Sequence, residues 1–194
     1  MPRSRMELDE PGAGLPGGER LLLGSMLKTS ALFMSDRRVS NVFASESRRL
    51  INIANDLNID QLSQQVLVPR LAGIEDSSRN WSVLMVLDHL CRVNRGIMET
   101  IELLNKDIEP NFEVDIADFK PDTDVDITII NRFEDLTASY IEQVQRLTPL
   151  KSRTCFYHPW FGHLTNHQWH CLAAYHMRIH RKQAHKITTM QGLA

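Results

Sequence analysis

The sequence lacks several features that would assign it to a familiar class of protein. No apolar run approaches the ~20 residues that a transmembrane helix requires, so we expect no membrane span. Its three cysteines (Cys91, Cys155 and Cys171) are far apart and form no C-x-x-C, which argues against a disulfide framework and favours a reducing compartment. The formal net charge is −2, which provides no basic field for a phosphate backbone, so nucleic acid is not an expected partner.

The N-terminus shares only its early positive charge with a signal peptide. Two early arginines are followed by acidic residues and a Pro/Gly-rich stretch, and Lys28 interrupts the apolar run that begins at Leu21. We therefore predict no signal peptide and a cytoplasmic location. Residues 1–18 show no periodicity and are predicted to be a flexible tail, and residues 19–194 are predicted to form one domain.

Common catalytic motifs are also missing. The chain has no H-E-x-x-H, so the base of a metalloprotease is absent, and no G-x-S-x-G elbow, so a Ser–His–Asp triad has no support. The one glycine-rich run lies in the predicted tail without a preceding strand and does not indicate a phosphate-binding loop.

Apolar residues recur with helical spacing in four long segments. The predicted helices cover residues 35–57, 80–105, 123–147 and 165–187, and a shorter helix is predicted for 21–33. The first of the four begins at Ser35 as N-cap, the second at Ser78 or Asn80, and the last at a capping box formed by Thr165 and Gln168. This pattern predicts an all-α four-helix bundle, and the connections of ~16–20 residues leave room for a crossover.

Histidines interrupt the apolar stripe of the last helix. The predicted inward residues are Trp169, Leu172, Ala173, His176, His180, Gln183 and Ile187. Because His176 and His180 are four residues apart, their rings lie one turn from each other and can bind one metal ion. His89, at the edge of the apolar face of the second helix, is a third candidate ligand.

Alternative interpretations apply to each histidine. A single inward histidine is more often a hydrogen-bonded core residue than a ligand, and the pair alone leaves metal binding and a polar core evenly matched. His167, His170 and His185 are predicted to be solvated surface residues, and His158 to make a structural hydrogen bond. The inward set contains no carboxylate, so a di-iron carboxylate site is not expected, and Asp88 is interpreted as a solvated or capping charge.

The segment before the last helix is rich in aromatic residues. Tyr157, Trp160, Phe161 and Trp169 cluster there. We favour a hydrophobic plug over one end of the bundle, and the alternative is the wall of a ligand pocket.

Three motifs together resemble a known family. The segments W-S-V-L-M-V-L-D-H-L (81–90), H-P-W-F-G-H-L-T-N-H-Q-W (158–169) and H-M-R-I-H-R-K-Q (176–183) are similar to those of the DinB-like, or YfiT-like, superfamily. The resemblance implies a three-histidine metal site at His89, His176 and His180, a four-helix bundle in up-down-down-up order, and a homodimer. Some members of the family are similar to thiol-dependent S-transferases and others to maleylpyruvate isomerases.

The sequence therefore favours a metal-dependent enzyme. One divalent transition metal (Zn²⁺, Ni²⁺ or Fe²⁺) on three histidines leaves a coordination position open, where a thiol or water is activated for transfer or hydrolysis on a small molecule. The first alternative is a non-catalytic metal- or ligand-binding stress-response protein, and the second is a polar core without metal.

Overall fold

The structure is a computed structural model that describes residues 8–193. Six α-helices and two short antiparallel strand pairs form this part of the chain. They are α1 (Gly17–Phe33), α2 (Asp36–Asn55), α3 (Ile59–Ser63), β1 (Val66–Leu67), β2 (Asn80–Trp81), α4 (Val83–Asn105), α5 (Ile129–Leu147), β3 (Phe156–His158), β4 (Gly162–Leu164) and α6 (Asn166–Met190). The four long helices α2, α4, α5 and α6 correspond to the four predicted ones, and α1 extends the predicted short helix. Residues 1–7 of the predicted tail lie outside the described residues.

Side-chain caps mark the starts of α2, α4 and α6. Ser35 accepts a hydrogen bond from the backbone N–H of Arg38, and Thr165 and Gln168 form the predicted capping box at α6. The predicted cap of α4 is wrong, because Ser82 rather than Ser78 or Asn80 accepts from the first turn. Residues 80–81 are extended and pair with β1, so the helix cannot begin before them.

The helix α5 begins six residues later than predicted. The side chain of Asp126 accepts from the backbone N–H of Thr128, which holds a turn where the sequence pattern predicted helix. Ile127, within the predicted helix, therefore lies before α5 and is exposed. A short 3₁₀ turn lies in the connection between α4 and α5, at Ile116–Phe119.

Hydrogen bonds between helices give their relative directions. The carboxylate of Asp36, at the start of α2, lies 2.6 Å from Nδ1 of His167, at the start of α6. Nearer the other ends, Arg181 donates to the carboxylate of Glu46 at 2.9 Å. The helices α2 and α6 therefore run parallel to each other.

The other two long helices run in the opposite direction. The amide of Asn166, at the start of α6, donates to the side chain of Asn105, at the end of α4. The backbone N–H of Leu150, just after α5, donates to Asp36 at the start of α2. The chain order is therefore up, down, down, up, which confirms the predicted four-helix bundle and explains why the connection between α4 and α5, which must return along the bundle, is long.

The core lies where the four long helices meet. Phe43 of α2 stacks on Tyr140 of α5 with ring centroids 4.1 Å apart. The helix α6 packs against α1, α2 and α4, so side chains on most of its circumference are buried. Across the described residues, no helix combines the length and apolar character that crossing a bilayer demands.

Candidate metal centre

The bundle brings the three predicted histidines together. His89 lies in the second turn of α4, and His176 and His180 lie one turn apart in the middle of α6, which runs antiparallel to α4. One ring nitrogen of each histidine lies within 4.8 Å of the corresponding nitrogens of the other two. The closest approach is 3.1 Å, between Nε2 of His89 and Nε2 of His176.

The backbone fixes the protonation of His89. Nδ1 of His89 lies 2.6 Å from the carbonyl oxygen of Phe119. A carbonyl oxygen can only accept, so Nδ1 carries the proton and Nε2 presents its lone pair to the other histidines. The 3₁₀ turn that ends at Phe119 thus acts as the outer support of the first ligand.

A side chain fixes His180 in the same way. The oxygen Oε1 of Gln183 lies 2.8 Å from Nδ1 of His180. The amide nitrogen of Gln183 donates to the carbonyl of Ser78 at 2.7 Å, which leaves Oε1 as the atom that faces the imidazole. Nδ1 of His180 therefore donates, and Nε2 is the nitrogen available to a metal.

Burial keeps the three imidazoles neutral. Burial lowers the pKa of His180 well below its ordinary value, and the neighbouring charge of His89 lowers it further. The pKa values of His89 and His176 are lowered for the same two reasons, burial first and then a neighbouring histidine. Neutral imidazoles have the lone pairs that a metal requires.

The donor set fits a divalent transition metal. Three neutral nitrogens face one another at distances that a shared cation spans, and two of them have their outer nitrogens hydrogen-bonded. Nδ1 of His176 is buried without a hydrogen-bond partner, so this third imidazole lacks the outer support that the other two have. No fourth His, Cys, Asp or Glu among residues 8–193 joins this group.

An apolar cavity of about 470 Å³ opens beside the histidines. Its walls come from α1, α4 and α6, from the 112–119 connection and from the aromatic segment that precedes α6. The apolar wall residues include Leu27, Val93, Ile97, Phe112, Trp160, Phe161, Trp169 and Leu172. Trp160, Phe161 and Trp169 thus form a pocket wall rather than the plug that we favoured from the sequence, and Tyr157 is exposed. The cavity is the size of a small-molecule site.

A buried carboxylate joins the segments around the cavity. Glu75, which is 3% exposed, accepts from the backbone N–H of Gly14 at 2.7 Å and forms an ion pair with Lys120. The ammonium of Lys120 lies over Trp81, whose ring stacks on His180. The charge of Glu75 is therefore neutralised by Lys120, and the described part of the predicted tail is tied to the cavity rim.

Three sequence interpretations outside the triad are corrected. His170 is fully buried rather than solvated, with its ring nitrogens 3.0 Å from the hydroxyls of Ser40 and Tyr140. His167 is partly buried beside Asp36. Both were predicted to be solvated because a single apolar stripe indicates only one buried face of α6, whereas α2 covers a second face.

The third correction lies on α4. Asp88 is buried and accepts from Arg92 and from the backbone N–H of Asp122, rather than being solvated. By contrast, His185 is exposed as predicted, and His158 makes the predicted structural hydrogen bond by accepting from the backbone N–H of Trp160.

Gln183 and Phe119 support the site, and the sequence analysis missed both roles. Gln183 was in the predicted inward stripe, and a buried amide three residues after an inward histidine is a usable signal. The contribution of Phe119 is a backbone carbonyl, which leaves no signal in the amino-acid sequence.

Comparison with known proteins identifies the fold. No protein-family model matches the chain, and no curated protein matches it. One similar solved structure is YfiT from Bacillus subtilis, described as a probable metal-dependent hydrolase with an unusual four-helix bundle topology. It has a TM-score of 0.59 and 15% sequence identity, covering 97% of each chain. The chain has the YfiT/DinB-like fold.

A second structure agrees with this assignment. The four-helix bundle protein TT2238 has a TM-score of 0.52 and 19% identity, over 81% of this chain and 99% of that one. At these identities the likeness establishes the YfiT-like fold, and chemistry must be argued from the residues of the chain itself.

Proposed function

We propose that the chain is a metal-dependent enzyme that holds one divalent transition metal on His89, His176 and His180. The observation that carries the proposal is the convergence of three imidazole nitrogens within 4.8 Å, two of them fixed by hydrogen bonds on the far side of the ring. The description of YfiT as a probable metal-dependent hydrolase supports the same interpretation.

The reaction that fits this site is hydrolysis or thiol transfer on a small molecule. A divalent cation held by three histidines supplies Lewis acidity and lowers the pKa of a water or thiol at its open position. The chain contributes three neutral ligands and a cavity with largely apolar walls for the substrate. No residue of the cavity selects a particular thiol or a particular metal among Zn²⁺, Ni²⁺ and Fe²⁺.

The lack of a fourth protein ligand favours catalysis over a purely structural metal. Structural sites for Zn²⁺ are closed by four protein ligands, and catalytic sites keep a position open. The described residues provide only three candidate ligands. A non-catalytic metal-binding protein is the alternative, and a closed coordination sphere in a metal-loaded crystal would support it.

Elemental analysis tests the metal assignment directly. Untagged protein purified without chelators is analysed by inductively coupled plasma mass spectrometry. The variant His176→Ala is analysed in the same way. The matched control is His185→Ala, an exposed histidine of the same helix. About one equivalent of metal in the wild type and the control, lost in His176→Ala, is the expected result. Full metal occupancy in His176→Ala would overturn the assignment.

A further inference from the structure

His158 occupies a position in the cavity wall that its structural role does not explain. It ends β3, is 8% exposed and lines the cavity that also contains the three histidines. Its ring stacks on Phe161 with centroids 4.9 Å apart and lies 5.4 Å from the ring of Trp169. Aromatic neighbours therefore hold the imidazole in one orientation.

The hydrogen bond to the backbone determines where the proton of His158 lies. Nδ1 accepts from the backbone N–H of Trp160 at 3.1 Å, so Nδ1 must carry a lone pair. The neutral imidazole then has its proton on Nε2, which is a donor. Burial lowers the pKa of His158 to about 4, so the ring is neutral at pH 7.

The donor at Nε2 has no acceptor among the described residues. Two other polar groups of the wall already have partners. The carboxylate of Glu75 already accepts from Lys120, and the hydroxyl of Thr100 donates to the carbonyl of Gly96. The indole nitrogen of Trp169 also lacks a partner, but protein atoms cover it. Nε2 of His158 is thus a donor without a protein acceptor, in a mostly apolar wall whose other polar side chains include Tyr175, Arg178 and Lys182.

We propose that the cavity binds an apolar small molecule with a carbonyl oxygen, and that Nε2–H of His158 donates to this oxygen. The inference deepens the proposed function and rests on it in one respect, since the carbonyl group would lie in the same cavity as the metal ligands. A neutral donor fixed in a cavity wall discriminates for a ligand that offers an acceptor, because a ligand without one leaves this hydrogen bond unmade.

Two isosteric probes and one substitution isolate this hydrogen bond. Acetophenone carries a carbonyl oxygen, and α-methylstyrene has a methylene group in its place. In His158→Asn, the side-chain oxygen takes the position of Nδ1 and still accepts from Trp160, while the amide NH2 takes the position of Cδ2, so no donor remains at the position of Nε2. His158→Phe removes both groups and shows the cost of losing the structural bond. Binding of each probe to the full chain is followed by NMR titration and by tryptophan fluorescence.

The expected result is a change in selectivity rather than a general loss of binding. The ratio of the Kd of α-methylstyrene to that of acetophenone should fall about fivefold in His158→Asn, which is the size of one neutral hydrogen bond. The Kd of α-methylstyrene should change little. An unchanged ratio, or no saturable binding of either probe to the wild type, would overturn the proposal.

The same titrations separate this proposal from the metal assignment. They are run on protein as purified and after chelation, and the metal content of each sample is measured. Loss of the His158 effect in protein with a full equivalent of metal refutes only the role of His158. If the protein never binds metal but the His158 effect persists, only the metal assignment is refuted, and the ligand site stands.

Discussion

Gln183 connects the imidazole of His180 to the loop that precedes β2. Its oxygen lies 2.8 Å from Nδ1 of His180, and its amide donates to the backbone carbonyl of Ser78 at 2.7 Å. The amide is fully buried, so neither hydrogen bond is replaced by water. The loop therefore determines which nitrogen of His180 faces the other two histidines.

Gln183→Ala should weaken metal binding without abolishing it. Loss of the acceptor frees the His180 ring to change tautomer and orientation, and the Kd for Zn²⁺ should rise about 10- to 100-fold. Competition with a chromogenic chelator measures this Kd. The matched control is Gln143→Ala, which also removes a glutamine bond to a helix carbonyl, that of Met98, but lies away from the triad. Equal Zn²⁺ affinities of the two variants would contradict the supporting role of Gln183.

His170 should make the fold sensitive to acid. Burial lowers its pKa from an ordinary value near 6.5 to about 4, so between these values the unfolded chain binds a proton that the folded protein does not. The stability contributed by the neutral ring is complete above pH 6.5 and is lost as the pH falls towards 4. At 1.36 kcal/mol per pH unit, the loss attributable to His170 is about 3 kcal/mol.

Comparison of two variants isolates this contribution from the other buried histidines. Urea unfolding of metal-free wild type, His170→Gln and His185→Gln is measured from pH 7 to pH 4. His170→Gln should start less stable, because the Ser40 and Tyr140 contacts are disturbed, but its stability should fall less steeply with acid. His185→Gln, at an exposed position, should follow the wild-type slope. Parallel curves for all three proteins would show that His170 does not titrate as its burial requires.

Gly73→Ala should destabilise the protein more than an equivalent change elsewhere. Gly73 has a φ of +85°, and an added Cβ would lie 2.7 Å from Cδ1 of Ile179 on α6. Gly162 has a φ of +72° and open space around its Cα, so Gly162→Ala reports the backbone strain alone. Alanine at a positive φ costs about 1–2 kcal/mol, and the contact with Ile179 should add about 1 kcal/mol or more. Chemical unfolding of both variants measures the difference, and equal losses would show that Ile179 moves aside freely.

The fold was largely predictable from the sequence because helical periodicity and capping residues are local signals. Ser35 and the pair Thr165–Gln168 were placed correctly, and the three histidines were selected by their spacing and by family resemblance. The positions of helix starts failed where non-local or turn contacts intervened, as at residues 80–81, which pair with β1.

The environment of the site was less predictable, because it depends on segments far apart in sequence. Hydrophobic periodicity assumes that a helix has one buried face, but α6 is covered on three sides, and His170 is consequently buried. Likewise, the carbonyl of Phe119 reaches His89 from a connection that has no regular pattern. Side chains identify ligands, whereas backbone partners appear only in the folded chain.

The homodimer implied by the family resemblance stays a prediction, and α1 offers a surface that tests it. Leu32 is 80% exposed and Phe33 is 78% exposed at the end of this helix, and burial of adjacent large apolar side chains favours association. We expect light scattering of the wild type to give the mass of two chains, and Leu32→Asp combined with Phe33→Asp to give the mass of one. The control is Ile59→Asp, an exposed apolar position in α3, which should leave the dimer intact. A monomeric wild type would contradict the predicted homodimer, and a dimeric double variant would place its interface elsewhere.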